Sequence, residues 1–243
     1  MLQRLRAQLG IQGLPHPPLR TYPSVQPRLK AEWPQLIAEL LPRSILEMGS
    51  WEGRSAIAWL TICKELAINT ELVCVDTWLG STEHWLDDFP DGEWARERLL
   101  LENNAPQVFD TFCHTLITHG FSEDVVALRM TNRIATDVLR RLNCSFDLIY
   151  VDGAHDLRSV VSDLLDALTL IEPEGVIVGD DWGWPSVSRA AILVSLAKRT
   201  HLYVSKSNTS FALSRSRNQV LRNSSDWKLL SRAHAARSLA RRW

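Results

Sequence analysis

The apolar positions of this chain change period repeatedly, and each change marks a boundary between a strand and a helix. Residues 45–48, 71–75, 125–130, 146–151 and 176–179 are short apolar runs and predict five strands. Between them the apolar side chains recur every three or four positions. In residues 31–41, Trp33, Leu36, Ile37, Leu40 and Leu41 share one face, and Pro42 ends the helix. Residues 55–66 predict the first crossover helix. Residues 157–168 give the cleanest stripe, with Leu157, Val160, Val161, Leu164, Leu165 and Leu168 on one side, before Pro173 and Gly175 break the pattern. A helix near 187–198 precedes two more β-like runs, 202–204 and 211–213, which bring the expected strands to seven. Strands alternating with helices predict an α/β fold with a doubly wound, mostly parallel sheet covered on both faces.

The two ends read differently from the body at 31–214. Residues 1–30 contain Pro15, Pro17, Pro18, Pro23 and Pro27, and predict an extended arm lying on the body or on a partner chain. Residues 215–243 carry eight Lys or Arg against one acid, Asp226, in a chain of formal net charge −1. Trp227, Leu230 and Leu239 are expected on one side of a basic helix, either solvated or docked on an acidic surface of this chain or of a neighbouring subunit. Arm and tail are the candidate contacts of a homo-oligomer. The near-neutral whole chain offers no electrostatic case for nucleic acid or a membrane. With 45% apolar and 23% charged residues it has the composition of a soluble globular protein. Cys63, Cys74, Cys113 and Cys144 form no C-x-x-C pair. No signal peptide is visible, and no apolar run reaches the roughly 20 residues of a membrane span. A cytoplasmic enzyme is the expectation.

Residues 45–55, Ile-Leu-Glu-Met-Gly-Ser-Trp-Glu-Gly-Arg-Ser, turn a strand sharply into a helix. Gly49 and Gly53 let a ligand sit against bare backbone at the helix N-terminus, with Ser55 beside it. Glu47 would repel a pyrophosphate but suits an ammonium or a ribose hydroxyl, and the G-x-G-x-x-G spacing of dinucleotide sites is missing. This stretch resembles the first motif, E-x-G-x-x-x-G-x-S, of the class I S-adenosylmethionine-dependent methyltransferases. The resemblance implies a Rossmann-like sheet closed by an antiparallel hairpin formed by the last two runs.

Polar residues then fall at the ends of successive strands, where open parallel sheets bind ligands. Asp76, 23 residues after Gly53, is placed to accept hydrogen bonds from ribose hydroxyls; otherwise it is a strand-end turn residue. Thr131 and Asn132 are candidates for the adenine edge. Asp152, Asp180 and Asp181, in the runs Val-Asp-Gly-Ala-His-Asp and Gly-Asp-Asp-Trp, are hard oxygen donors that can gather a divalent cation, Mg²⁺ above all. The plainer alternative makes Asp152 a helix cap and Asp180–Asp181 an Asx turn. Residues 78–124 read as an insertion whose first part, with Trp78, His84, Trp85, Asp87, Asp88, Asp91, Glu93 and Trp94, folds over the cofactor as a lid. Trp85, Trp94, Trp182 and Trp184 are candidate apolar walls for an acceptor.

The last two runs resemble the metal-dependent O-methyltransferases that modify sugars on macrolides and related glycosides. That resemblance implies that Asp152, Asp180 and Asp181 bind Mg²⁺, that Asp152 and His155 are catalytic with His155 a general base, and that the acceptor is a small-molecule hydroxyl. Asp152 also borders the cofactor. Two departures stand out: Leu157 occupies a position where an aromatic is common, and Pro173-Glu174-Gly175 replaces Pro-Gly-Gly. A catechol-like phenol is the alternative acceptor, and an S-adenosylmethionine-binding interaction module without turnover is the alternative class.

Overall fold

Strands that are apolar on both sides need a neighbour at each edge and a helical layer on each face, and this requirement organises the chain. The computed structural model describes residues 1–86 and 94–240. The first elements are α1 (Leu2–Leu9), α2 (Trp33–Leu40), β1 (Ser44–Met48), α3 (Arg54–Glu65) and β2 (Glu71–Asp76). Two short helices, α4 (Thr82–Leu86) and α5 (Trp94–Glu97), lead to α6 (Val108–Thr118) and β3 (Val125–Arg129). Next come α7 (Asn132–Arg141), β4 (Phe146–Val151), α8 (Leu157–Leu170), β5 (Ile171–Gly179) and α9 (Pro185–Lys198). The chain closes with β6 (His201–Ser205), β7 (Phe211–Ser214), α10 (Gln219–Asn223), β8 (Trp227–Leu230) and α11 (Arg232–Ala240).

The strands lie in the order β3-β2-β1-β4-β5-β7-β6-β8. The first five are parallel, and β7, β6 and β8 run antiparallel. Side chains alternate between two cores. On one face Leu46, Met48, Val73, Val75 and Ile149 pack with α1, α7, α8 and α9. On the other, Ile45, Leu72, Cys74, Leu148 and Tyr150 pack with α2, α3 and α6, where Trp33 and Trp59 stack.

Four details differ from the sequence expectation. The sheet has eight strands, because Trp227–Leu230 pairs with β6 and covers an edge that would otherwise leave ladder groups exposed. The basic helix therefore begins only at Arg232, and Trp227 is buried in a strand. The N-terminal arm is extended only beyond Gly10: Leu2–Leu9 precede the prolines, form α1, and bury Leu2 and Leu5. Finally, β5 starts at Ile171, and Pro173-Glu174-Gly175 is absorbed as a register shift opposite Phe146–Leu148.

The order reverses at β1, which lies between β2 and β4, so the carboxyl ends of β1 and β4 border the crevice where such sheets bind ligands. Gly49 closes this point. It has φ 93°, and a Cβ there would stand 2.2 Å from the carbonyl oxygen of Asp152. Both the backbone conformation and the contact exclude a side chain. Gly49→Ala is therefore expected to cost about 2 kcal/mol or more and to lower the melting temperature by roughly 4–8 °C, measured by calorimetry.

Candidate active site

The turn after β1 is held by hydrogen bonds from within. The Asp76 carboxylate accepts from the backbone N–H of Ser50 at 3.0 Å and of Trp51 at 2.9 Å, and from Trp78 N–H at 2.7 Å. Two cavities open on either side of Gly49. The larger, about 370 Å³, is bordered by Asp76, His84, Thr131, Asn132 and Asp163. The smaller, about 160 Å³, is bordered by Arg28, Ser55, His155 and Asp181. Gly49, Trp51, His84, Asp152 and Gly153 line both, so the two are one cleft with a waist. His84, on α4, stacks on Trp51 with ring centroids 4.0 Å apart, and burial lowers its pKa to about 4. Of the stretch expected to form a lid, α4 borders the cleft through His84. Asp87, Asp88, Asp91, Glu93 and the side chain of Trp94 lie outside the described residues.

Beyond the smaller cavity lie the acids of β4 and β5. Asp156, not Asp152, caps α8, accepting from Arg158 and Ser159 N–H at 3.0 Å each. That leaves Asp152 facing the cleft. Ligand atoms of Asp152, His155 and Asp181 all lie within 4.8 Å of one another. His155 Nε2 is 2.8 Å from Asp181 Oδ2, and the ring stacks on Trp184 at 4.6 Å. Burial pushes the Asp152 carboxyl up to about 8, with Asp180 and Asp181 adding repulsion. Burial opposes the charged form of His155, but Asp181, with Asp152 and Glu83, outweighs it and raises the pKa. The same contact keeps Asp181 low in spite of burial.

Asp180 is brought close and then turned to other partners. Its carboxylate accepts from the Lys30 ammonium, from Tyr150 Oη at 2.8 Å and from Asp181 N–H at 2.7 Å, with Arg28 Nη2 at 3.3 Å. The expected triad of Asp152, Asp180 and Asp181 is therefore rearranged: His155 joins the convergent set, and Asp180 is satisfied by cations from the arm.

The expected cofactor residues divide in the same way. Gly49, Asp76, Thr131, Asn132 and Asp152 border the larger cavity, and Ser55 the smaller. Asp76 borders the larger cavity while its carboxylate holds the backbone N–H groups of the turn. Thr131 caps α7, and Asn132 donates to Asp163 at 2.9 Å. Glu47 and Gly53 border neither cavity. Glu47 is fully buried beneath the turn, with Cys74 Sγ 3.6 Å from its Oε2. Gly53, at φ 85°, presses its bare face on α6, where a Cβ would lie 2.7 Å from Leu116 Cδ2. Trp78 is buried in the core, donating to Trp51 O at 2.7 Å, and Trp182 packs on Phe211. Of the expected aromatic walls, Trp184 reaches the site through His155, while Trp85 is partly exposed on α4 and donates to Leu79 O at 2.8 Å. Sequence reasoning passed over Trp51, Tyr150, Asp163, Arg28 and Lys30. A Lys-x-x-Trp step into an amphipathic helix carries no signal that the lysine turns inward.

Residues 46–182 match the model of a methyltransferase domain family. The chain belongs to this methyltransferase family. No curated protein is significantly similar in sequence. Among solved structures, the O-methyltransferase NovP is similar with TM-score 0.55 at 14% identity, covering 76% of each chain. The calicheamicin methyltransferase CalS11 gives 0.52 at 15%, covering 75% of each. An O-methyltransferase from Bacillus cereus, in complex with SAH, gives 0.50 at 16%, covering 88% of each. At such identities the likeness establishes the fold. Among the described residues, no helix of this methyltransferase is long and apolar enough to cross a membrane.

The donor set of the methyltransferase fits a divalent cation. Two carboxylates and an imidazole converge, and the upward displacement of Asp152 is a cost that a cation would remove.

Glu47 makes the turn sensitive to pH. Burial pushes its carboxyl up to about 7 from 4.5, with the Ser55 hydroxyl opposing. The folded state then keeps a proton that the unfolded chain releases near 4.5, so stability falls as pH rises from about 4.5 to 7 and levels off above. Glu47→Gln is expected to remove this loss. Denaturant titrations should show the variant gaining on the native protein by on the order of 2–3 kcal/mol between pH 5 and 8. A constant difference would contradict the assignment.

Proposed function

We propose that this chain is a cytoplasmic, S-adenosylmethionine-dependent O-methyltransferase, assisted by Mg²⁺, that acts on a hydroxyl of a small molecule, a sugar or glycoside. The observation that carries the reading is the position of Asp152. It lines the cleft beside the glycine turn and faces His155 and Asp181 across the waist. A donor site and an acceptor site so joined suit a transfer in which the reacting groups must be held in line.

In this reading the larger cavity takes the nucleoside. Asp76 faces the ribose, Thr131 and Asn132 the base, and the backbone of Gly49–Trp51 the methionine end. S-adenosylmethionine supplies a methyl group already activated on a sulfonium. A divalent cation held there would supply Lewis acidity toward the acceptor hydroxyl. Asp152 and Asp181 would hold the cation, since Mg²⁺ prefers carboxylate oxygen to imidazole. That preference leaves His155 as the base: its Nε2–H donates to Asp181 Oδ2 at 2.8 Å, and Nδ1 is the nitrogen that would take the hydroxyl proton. Asp181 orients the ring and raises its basicity, as its effect on the His155 pKa requires. Trp51 and Trp184 offer flat apolar surfaces to a sugar face. The name of the calicheamicin methyltransferase accords with a small-molecule acceptor.

Calorimetry is expected to show S-adenosylmethionine binding that Asp76→Ala weakens about tenfold or more. EDTA should abolish turnover and Mg²⁺ restore it. Asp152→Asn is expected to lower turnover by about 100-fold or more. A mass-spectrometric screen of glycosides and phenols should show a gain of one methyl group on a glycoside. Methylation of phenols alone would move the acceptor to the catechol class. Undiminished turnover in EDTA would remove the cation from the mechanism.

A further inference from the structure

Lys30 is a buried lysine whose ammonium reaches the far side of the acidic crevice. It donates to Asp180 and, at 3.1 Å, to Ser210 Oγ in the turn between β6 and β7. Its side chain is 9% exposed and that of Asp180 1%. The position is fixed by backbone rather than by chance. Arg28 N–H donates to Arg54 O at 3.0 Å, and Lys30 O accepts from Trp33 N–H at 3.1 Å as α2 begins. Arg28 itself bridges the crevice, with Nη1 3.8 Å from Asp152 and Nη2 3.3 Å from Asp180. The arm therefore brings two positive charges to three carboxylates.

We propose that Lys30 is the resident cation of this site, a positioning residue that withdraws Asp180 from metal coordination and sets how tightly a divalent ion binds. The inference rests on the reading of the cleft as a methyl-transfer site with a cation at Asp152 and Asp181, and it goes beyond that reading by assigning part of the electrostatic work to the chain itself. The reasoning is one of charge and geometry. A divalent ion that used Asp180 as a ligand would come within a few ångströms of an ammonium whose side chain is largely buried. The arm would have to leave, breaking the contacts of residues 28–30. An ion that uses Asp152 and Asp181 leaves the Lys30–Asp180 pair intact. It then meets a crevice whose three negative charges are already offset by two positive ones. Binding is accordingly weak and reversible, and the geometry of the second carboxylate on β5 is fixed before the ion arrives. A hydrophobic residue at position 30 would leave the buried Asp180 with Arg28 as its one cationic partner among the described residues, and a divalent ion would then be drawn to all three acids.

The test is a titration with Mn²⁺ alone, followed by calorimetry and by the electron paramagnetic resonance of the free ion, on the full chain. Lys30→Met is expected to bind Mn²⁺ about tenfold more tightly than the native protein, and Lys30→Arg to stay within about threefold of it. Unchanged affinity in Lys30→Met, including no binding in either protein, would overturn the proposal. The double variant Lys30→Met/Asp180→Asn removes the pair without leaving a lone buried charge, and so decides the matter if Lys30→Met does not fold. Its affinity is expected within about threefold of the native value, and a loss of about tenfold or more would show that Asp180 is a ligand and overturn the assignment. S-adenosylmethionine calorimetry on the same proteins separates the two readings. If the donor binds but Lys30→Met leaves Mn²⁺ affinity unchanged, the methyl-transfer site stands and the role of Lys30 falls.

Discussion

Three carboxylates at the ends of two adjacent parallel strands are an electrostatic burden, and much of this structure is arranged to carry it. Two unit charges 4 Å apart at a protein surface repel by about 4 kcal/mol, comparable to a large share of a domain's net stability. The chain meets this with Lys30 and Arg28 from the arm, with the Tyr150 hydroxyl, and with the imidazole of His155. The contribution comes from opposite ends of the sequence: residues 28–30 precede the sheet, and Ser210 follows its parallel part. The arm is thus as much a component of the site as of the fold. Removing it would leave the acids that follow β4 and β5 with the Tyr150 hydroxyl and the His155 imidazole to offset them.

On the other side of Gly49 the balance is kept by the backbone. The turn from β1 to α3 points N–H groups of Ser50 and Trp51 at Asp76, which fixes the loop beside the larger cavity that Asp76 borders. Gly53 serves packing rather than ligand approach. Its missing side chain lets α3 and α6 come together, and α6 in turn buries Trp78 through Phe112. One glycine of the motif therefore shapes the cleft, and the other seats the helix that frames it.

Much of this was legible from residue pattern. The five parallel strands followed from short apolar runs, and the strand-end acids followed from the rule that open sheets bind at their carboxyl ends. The parts that escaped share a physical cause. Trp227–Leu230 has the composition of either a strand or a helix turn, and only the vacant edge of β6 decides between them. Leu2–Leu9 is too short to be stable alone and exists because Leu2 and Leu5 find the core, while Arg6 reaches Val125 O at 3.1 Å. Glu47 was expected to face a ligand because it ends a strand beside the glycines. The alternation of β1 instead sends it inward to Cys74. Lys30 lay in a stretch read as an extended arm, and no local pattern distinguishes a lysine that turns inward from one that is solvated.

The acids around the cleft show one further regularity. Burial pushes Glu47 and Asp163 up to about 7 and Asp152 up to about 8. These three come from β1, α8 and the end of β4, and share no hydrogen bond with one another. What they share is a place around Gly49 and Gly153, where the chain has spent free energy on burying carboxylates that are only partly compensated. A purely structural site would gain by replacing them with amides or apolar side chains, because unpaired buried charge is among the most destabilising features a fold can hold. A cleft meant for a ligand bearing positive charge would keep Asp152 and Asp163, which border it, since such a ligand relieves the same strain on binding. An ammonium, a sulfonium and a divalent ion all meet that description. The arm's cations offset the acids on the far side of the waist, at Asp180, whereas among the described residues Asp163 and Glu47 have no cationic partner. The charge deficit is therefore concentrated where the proposed donor would lie.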